Sequence, residues 1–500
     1  MSAPLDRLLL GLADAALARS PAARGLSIDG LAIDSRQVAR GEAFVALHGT
    51  QSHGIVFAPG AVQRGASVVL AEAPAPDAAP ASIDGVPVVW IEHLGAHVGE
   101  IAARFHGRPS EALRVIGVTG TNGKTSCVQL LAQALDFLGH RSATIGTLGA
   151  GLHGQLREGE RTTPDAVAVQ RLLAQFRDAG ASHVAMEVSS HALAQDRVAA
   201  VDFEVAAFTN LTRDHLDYHG SMQAYGAAKA RLFAWPGLRA AVINTDDAFG
   251  AALLDQLDAA VQPLRTSMAG DAAADVAAEA IVTSSDGLSF TLRTPWGTAP
   301  VHSALLGRFN VANLLTVAGC LGALGEPLDR IVAAMEQLQP VPGRMSRLGG
   351  QGGLPLVVVD YSHTPDALEQ ALAVLRAHCA GRLLCVFGCG GERDAGKRPL
   401  MGAIAARLAD ASIVTDDNPR SESGDAIVAQ IVAGMAARPP VIERDRARAI
   451  GRALREARTG DVLLIAGKGH ETYQQDAAGK HPFDDMAVAR AALDHWEARA

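Results

Sequence analysis

Short, dense apolar runs alternate with longer stretches of helical period through most of the 500-residue chain. Runs of four or five apolar residues closed by turn residues read as strands buried on both faces. Apolar residues three and four apart read as amphipathic helices. Residues 1–19 read as a helix. Residues 31–36 read as a short strand entering a polar turn, and 41–47, 67–70 and 87–91 as further strands of a small α/β unit. Residues 115–118 form a buried strand, and an apolar-periodic segment runs from Lys124 to near Leu138. Strand runs at 182–188, 205–209 and 240–244 alternate with helical ones, which implies right-handed βαβ units and a mainly parallel sheet. Residues 272–280 are alanine-rich and carry no period, while 281–301 alternate around Asp286-Gly287 like an antiparallel hairpin. The last third has four buried-strand runs, 356–360, 383–387, 412–415 and 462–466, each ending in polar residues.

Five hundred residues exceed what one hydrophobic core organises. Gly107-Arg-Pro-Ser110 and Pro340-Val-Pro-Gly343 read as linkers. The expected architecture is α/β in three domains, with an N-terminal unit over 1–108, a central P-loop-type domain on a mainly parallel sheet over 109–341, and a Rossmann-like C-terminal domain over 342–500. The net charge of −9 without a basic patch argues against nucleic acid or an anionic membrane surface as the main partner. Five cysteines without CxxC spacing suggest reduced thiols, no zinc site and a reducing cytoplasm. The N-terminus lacks a positive n-region, and no apolar run reaches spanning length.

Candidate chemistry centres on residues 115–126, Val-Ile-Gly-Val-Thr-Gly-Thr-Asn-Gly-Lys-Thr-Ser. A strand, a glycine turn (Thr119, Gly120, Thr121, Asn122, Gly123) and a helix start make a phosphate cradle of backbone N–H groups and helix dipole. Lys124 would reach the terminal phosphates, and Thr125 or Ser126 would hold Mg²⁺. Val118 stands where G-x-x-x-x-G-K-[ST] has its first glycine, so Gly-Lys-Thr alone leaves an ordinary βα turn equally open. The third glycine and the flanking strand and helix favour a nucleoside triphosphate. Glu187 and His215 follow two strands of the same sheet. Singly they read as a solvated acid and a lone histidine, jointly as metal ligands. Lys229, in a helical stretch, reads alone as an exposed surface lysine. Thr163 before Pro164 reads as a helix N-cap with proline at the first helical position. Gly307-Arg-Phe-Asn310 and Gly343-Arg344 suggest only glycine turns. The four polar clusters closing the last four strands are Tyr361-Ser-His-Thr364, Gly388-Cys-Gly-Gly-Glu-Arg393, Asp416-Asp-Asn-Pro-Arg420 and Gly467-Lys-Gly-His-Glu471. Ligands of open α/β sheets sit beyond strand carboxyl ends, so the four read as one shared site. Arg420 and Arg393 offer planar forks for a carboxylate. The plain alternative is surface arginine paired with Glu392 or Glu422.

Taken together, Gly120-Thr-Asn-Gly-Lys-Thr125, Thr162-Thr-Pro-Asp165, Met186-Glu-Val-Ser-Ser-His-Ala-Leu193, Asn210-Leu-Thr-Arg-Asp-His-Leu-Asp217, Gly307-Arg-Phe-Asn-Val-Ala-Asn313, Gly343-Arg344, Asp360-Tyr-Ser-His-Thr-Pro-Asp366 and Asp417-Asn-Pro-Arg420 resemble the Mur ligase family over nearly the whole chain. The resemblance implies a cytoplasmic, monomeric, ATP- and Mg²⁺-dependent ligase of peptidoglycan precursor synthesis, adding meso-2,6-diaminopimelate to UDP-N-acetylmuramoyl-L-alanyl-D-glutamate through an acyl phosphate. By resemblance, Ile33 and Ser35, with the loop at 50–52, touch the uridine nucleotide, and Thr162, Thr163, Ser189, Gln195 and Arg197 hold the rest of that substrate. Glu187 and His215 bind Mg²⁺, with Lys229 carbamylated and serving a second ion. Asn310, Arg344 and Asp360 contact ATP. Arg393, Asp417, Asn418, Pro419, Arg420, Gly467 and Glu471 bind diaminopimelate. The alternatives are a folylpolyglutamate synthase-like ligase, against which Thr162-Thr163 and Asp417–Arg420 argue, and a non-catalytic ATP-binding regulator.

Overall fold

The computed structural model describes residues 2–49, 52–75, 80–341, 343, 345–436 and 438–496. Thr50, Gln51 and Arg344, named above, lie outside the described residues. The chain divides into two compact units, Met1–Thr266 with Thr316–Glu326, and Ser267–Leu315 with Pro327–Ala500.

The first unit holds two sheets. One orders its five strands Leu31–Ala32, Ala43–Ala46, Val68–Ala73, Val86–Glu92, Ser82–Ile83, parallel except at the last pair. The segment expected as one N-terminal helix is two short helices, Leu5–Leu9 and Asp14–Ala18. Gly11, at φ +73°, breaks the path between them. The strand expected over 31–36 stops at Ala32, where Asp34 accepts the Arg36 backbone N–H (2.9 Å) and turns the chain.

The other sheet runs Gly149–Leu152, Ser142–Gly146, His183–Glu187, Arg114–Thr119, Phe203–Phe208, Ala240–Asn244, Gln262–Ser267, all parallel but for the first pair. From Arg114–Thr119 the chain first builds strands on one side and then, from Phe203, on the other. That makes Arg114–Thr119 the topological switch point, where α/β sheets place ligands. Its register sets Val118 beside Glu187 and Thr119 beside Phe208, so the glycine loop emerges between the ends of both neighbours.

In the second unit the expected hairpin is a three-stranded meander, Val276–Ser284, Gly287–Thr294 and Gly297–Ser303. Its first strand takes in Ala277, Ala278 and Ala280 from the stretch that carried no period, because pairing with the neighbouring strand overrides alanine's own helix preference. A six-stranded sheet follows in the order Ser346–Gly349, Leu356–Asp360, Val462–Ala466, Leu383–Phe387, Ala411–Val414, Val441–Ile442, parallel after the first pair. Alternate residues enter separate cores. Val358, Cys385 and Leu464 join one cluster, and Val357, Val386 and Ile465 the other. Both faces are covered, which accounts for runs of uninterrupted hydrophobicity. Among the described residues no helix is long and apolar enough to cross a membrane.

Candidate active site

The glycine loop meets the helix Lys124–Phe137, whose first turn has no side-chain cap. Its initial N–H groups therefore face outward with the positive end of the helix dipole. Gly120 (φ +145°) is required, because a Cβ there would lie 1.9 Å from Thr209 Oγ1. The loop is clamped from the Phe203–Phe208 strand end. Asn210 accepts the Asn122 N–H (2.9 Å) and donates to the Asn122 carbonyl (3.1 Å), and Thr209 Oγ1 donates to that carbonyl (2.6 Å). Thr121 Oγ1 accepts the Thr212 N–H (3.0 Å) and meets the Tyr225 hydroxyl (3.1 Å). Thr119 is fully buried, and Ser126 follows Thr125 one residue into the helix. Lys124 Nζ folds back onto the Gly120 and Thr121 carbonyls, both at 2.8 Å.

Glu187 is 1% exposed at its strand end. It accepts Thr125 Oγ1 (3.0 Å), the Thr147 N–H (2.8 Å) and Thr147 Oγ1 (3.2 Å). Burial raises its carboxyl above the ordinary range, against the Thr147 bond, the Lys124 charge and the Thr125 bond. Lys229 is also 1% exposed and donates to the Gly120 carbonyl (2.7 Å), so the surface-lysine alternative fails. Burial, and then Lys124, push its ammonium down to about 6, against the pull of Asp214. His215 stands apart from Glu187 in kind. It is half-exposed, 3.4 Å from Asp214, with its ring against His191 at 4.9 Å between centroids. Among the described residues no three His, Cys, Asp or Glu side chains converge as a metal-holding group. A set of Thr125, Glu187, His215 and Lys229 contains only two such residues. The paired hydroxyl and carboxylate of Thr125 and Glu187 are the hard oxygen donors that suit Mg²⁺.

Hydrogen bonds continue from Glu187 into the other predicted residues. Thr147 Oγ1 meets Thr162 Oγ1 (3.0 Å), and Thr163 Oγ1 donates to the Glu187 carbonyl (2.8 Å) and accepts the Ser189 N–H (3.1 Å). Arg197 donates to the Thr163 carbonyl (3.0 Å) and to Gln195 Oε1 (2.6 Å), and Gln195 reaches the Tyr218 hydroxyl (3.0 Å). Thr163 is therefore not the cap of the following helix. Asp165 accepts the Ala168 N–H (2.9 Å) and starts Ala166–Asp178, which leaves Pro164 ahead of the helix. Ile33 and Ser35 lie in the turn closed by Asp34 and Arg36, an exposed ion pair at 2.7 Å.

In the second unit, the carboxyl ends of the four neighbouring strands border a cavity of about 530 Å³ lined by Tyr361, Arg393, Asp417, Asn418, Arg420, Gly467 and Glu471, among others. Gly467 (φ +120°) leaves room that a Cβ, 2.4 Å from Asp417 Oδ2, would fill. Arg420 sits at φ +54°, unusual for arginine, and is held by its N–H to the Gln475 carbonyl (3.0 Å) and its guanidinium to the Gly391 carbonyl (2.7 Å). Arg393 is exposed and forms no ion pair among the described residues. Glu422, offered as its partner, is taken bidentately by buried Arg398 (2.6 and 2.8 Å), which holds its carboxyl at about 2. Arg398 also grips the Gly390 carbonyl (3.1 Å). Pro419 follows Asn418 in the same turn. Asp360 accepts the Met345 N–H (2.9 Å). Asn310, 7% exposed, donates to the Leu306 carbonyl (2.8 Å) and accepts Asn313 (2.8 Å). Sequence reasoning passed over Thr147, the clamp residues Thr209 and Thr212, Arg398 and Lys468. Thr147 follows the Ser142–Gly146 strand, and a polar residue at a strand end was its available signal.

A phosphate cradle at the switch point of one sheet and an amino-acid-sized polar cleft at the strand ends of another define an ATP-using ligase class. Family descriptions match three stretches: Mur ligase family, catalytic domain, at 27–106, Mur ligase middle domain at 118–321, and Mur ligase, glutamate ligase domain, at 343–469. The chain belongs to the Mur ligase family. It is 56% identical over 470 residues, 94% of each chain, to UDP-N-acetylmuramoyl-L-alanyl-D-glutamate–2,6-diaminopimelate ligase of Xanthomonas oryzae pv. oryzae (strain MAFF 311018). It is 53% identical to the protein of that name from Ectopseudomonas mendocina (strain ymp), over 100% of this chain and 99% of that one. A solved structure of the same name superposes with a TM-score of 0.78 at 36% identity, covering 99% of both chains.

Proposed function

We propose that the chain is the ATP-dependent ligase that adds meso-2,6-diaminopimelate to UDP-N-acetylmuramoyl-L-alanyl-D-glutamate in peptidoglycan precursor synthesis, and so serves cell-wall growth, shape and division. The observation that carries this is the unbroken run of hydrogen bonds Thr125–Glu187–Thr147–Thr162. It ties the residues read as substrate-binding to the turn read as ATP-binding. A dipeptide held by the one and an ATP held by the other would have the acceptor carboxylate near the γ-phosphate.

A carboxylate is a poor electrophile, so ATP phosphorylates the D-glutamate γ-carboxylate first. The carboxylate oxygen bonds to the γ-phosphorus as the bond to ADP breaks. Lys124, released from the loop carbonyls, offsets the repulsion of the two anions and the charge gathering on the β-phosphate. The diaminopimelate amine then attacks the acyl carbon, and phosphate leaves as the amide forms and a proton is lost. Mg²⁺, held by Thr125, Glu187 and His215, would supply charge neutralisation on the phosphates when bound. Lys229, as a neutral buried amine, is the form that adds CO₂ to give a carbamate, an anionic ligand for a second ion. Thr162, Thr163, Ser189, Gln195 and Arg197 orient the dipeptide, and Ile33 and Ser35 its uridine end. Asn310, Arg344 and Asp360 serve ATP. Arg420 and Arg393 take diaminopimelate carboxylate, with Asp417, Asn418, Pro419, Gly467 and Glu471 around it. Domain boundaries near 108/109 and 341/342, a monomeric state and a cytoplasmic location complete the reading. The test is phosphate release from ATP with the uridine-linked dipeptide, screened over amino acids. Release that depends on diaminopimelate is expected; release indifferent to amino acid, or none, would leave a regulator or a simple ATPase.

A further inference from the structure

The wall behind the amino-acid cleft holds a cation with no task in the mechanism above. Lys468 is 0% exposed and follows Gly467. Its Nζ donates to Asn418 Oδ1 (3.0 Å) and Glu471 Oε2 (3.3 Å) and lies 5.4 Å from the centre of the Tyr473 ring. Asn418 Oδ1 also accepts the Gln475 N–H (2.9 Å). With two donors on its oxygen, the amide turns its nitrogen to Glu471 Oε2 (2.9 Å). Glu471 is thus asymmetric: Oε2 is held from two sides, and Oε1 receives no hydrogen bond from the described residues. Asn418, Glu471 and Arg420 all line the cavity.

We propose that Lys468 is a positioning residue that makes the cleft specific for a diamino dicarboxylic acid. It pins Asn418 and one Glu471 oxygen so that the other oxygen meets the substrate's distal ammonium while Arg420 takes the carboxylate beside it. This rests on the reading of the cleft as the amino-acid site. The test compares diaminopimelate with 2-aminopimelate, which keeps the distal carboxylate and lacks the distal amine, in the full-length enzyme. Lys468→Met is expected to shrink the preference for diaminopimelate about tenfold, through KM for diaminopimelate, with KM for ATP unchanged. In a Glu471→Gln background the same change should shrink it little further. Equal losses on both amino acids, or additive effects in the double variant, would overturn the proposal. If Lys468→Met does not fold, Asn418→Asp, which removes the donor to Glu471 at constant volume, is read by the same ratio: a smaller preference supports the proposal and an unchanged one overturns it. Failure of the cleft reading itself would show separately, as Glu471→Gln and Arg420→Ala leaving KM for both amino acids at the parent value.

Discussion

The phosphate cradle and the amino-acid cleft occupy the same kind of place, the carboxyl ends of parallel strands, and are made of different material. The cradle is a contiguous stretch whose backbone does the binding, and its neighbours Thr209, Asn210 and Thr212 hold that backbone still. The cleft is assembled from four stretches up to about a hundred residues apart. Its surface is side chains, held in place by buried charges such as Arg398 and Lys468. A backbone site tolerates few changes at its one lysine. A side-chain site can lose a member and keep turning over, with altered choice of substrate.

The comparison is broken most severely at Lys124. Lys124→Ala should lower diaminopimelate-dependent phosphate release by about 10³-fold, roughly 4 kcal/mol of transition-state stabilisation, with the melting temperature kept. A near-normal rate would take the cradle out of the mechanism. Lys229→Ala comes next, at about 10²-fold in kcat. A small carboxylic acid such as acetate should restore part of the rate by filling the gap a carbamate leaves. No rescue, together with an unmodified mass for Lys229 in the parent protein, would make it a plain lysine. Arg420→Ala should raise KM for diaminopimelate by about 10- to 100-fold and leave KM for ATP within about twofold, because a substrate carboxylate left without its guanidinium partner costs about 1–3 kcal/mol. Equal shifts in both would count against the assignment. Arg398→Met removes a support and not a contact, and a rise of about tenfold or less in the same KM is expected. A rise in KM for ATP instead would separate Arg398 from the cleft.

The smallest effect lies outside both sites. Burial pushes His106 and His183 down to about 4 from 6.5. Each stays neutral in the folded chain while the unfolded chain takes up a proton. Their contribution is therefore complete above pH 6.5 and is lost as pH falls from 6.5 to 4. Melting temperature should drop across that window, by about 2–4 °C per kcal/mol lost, and less in His183→Asn. A drop confined to lower pH would contradict this.

What could be read in the sequence follows the same divide. The strands at 240–244, 356–360, 383–387 and 462–466 were legible to the residue because they are covered on both faces. The glycine loop was legible because its chemistry is contiguous. Lys229 was not: its helix has little apolar asymmetry, and only the fold shows that the lysine points beneath Gly120. The Thr163 cap was misread because Asp165, two residues on, offers a carboxylate to the same helix start. Arg398 carries no local signal, since a buried charge and a surface charge are spelled alike until the partner Glu422 is known, and Lys468 lies in a polar cluster closing a strand without anything there to mark it as buried.

The central claim is that the turn at Gly120–Lys124 hands a phosphoryl group to the substrate's own carboxylate before an amine is chosen. Label the D-glutamate γ-carboxylate of the uridine-linked dipeptide with oxygen-18, run the reaction with ATP and diaminopimelate, and measure the isotope in the released phosphate. Transfer of a single labelled oxygen into each phosphate is the predicted result. Phosphate free of label, with amide formed at the normal rate, would contradict the account.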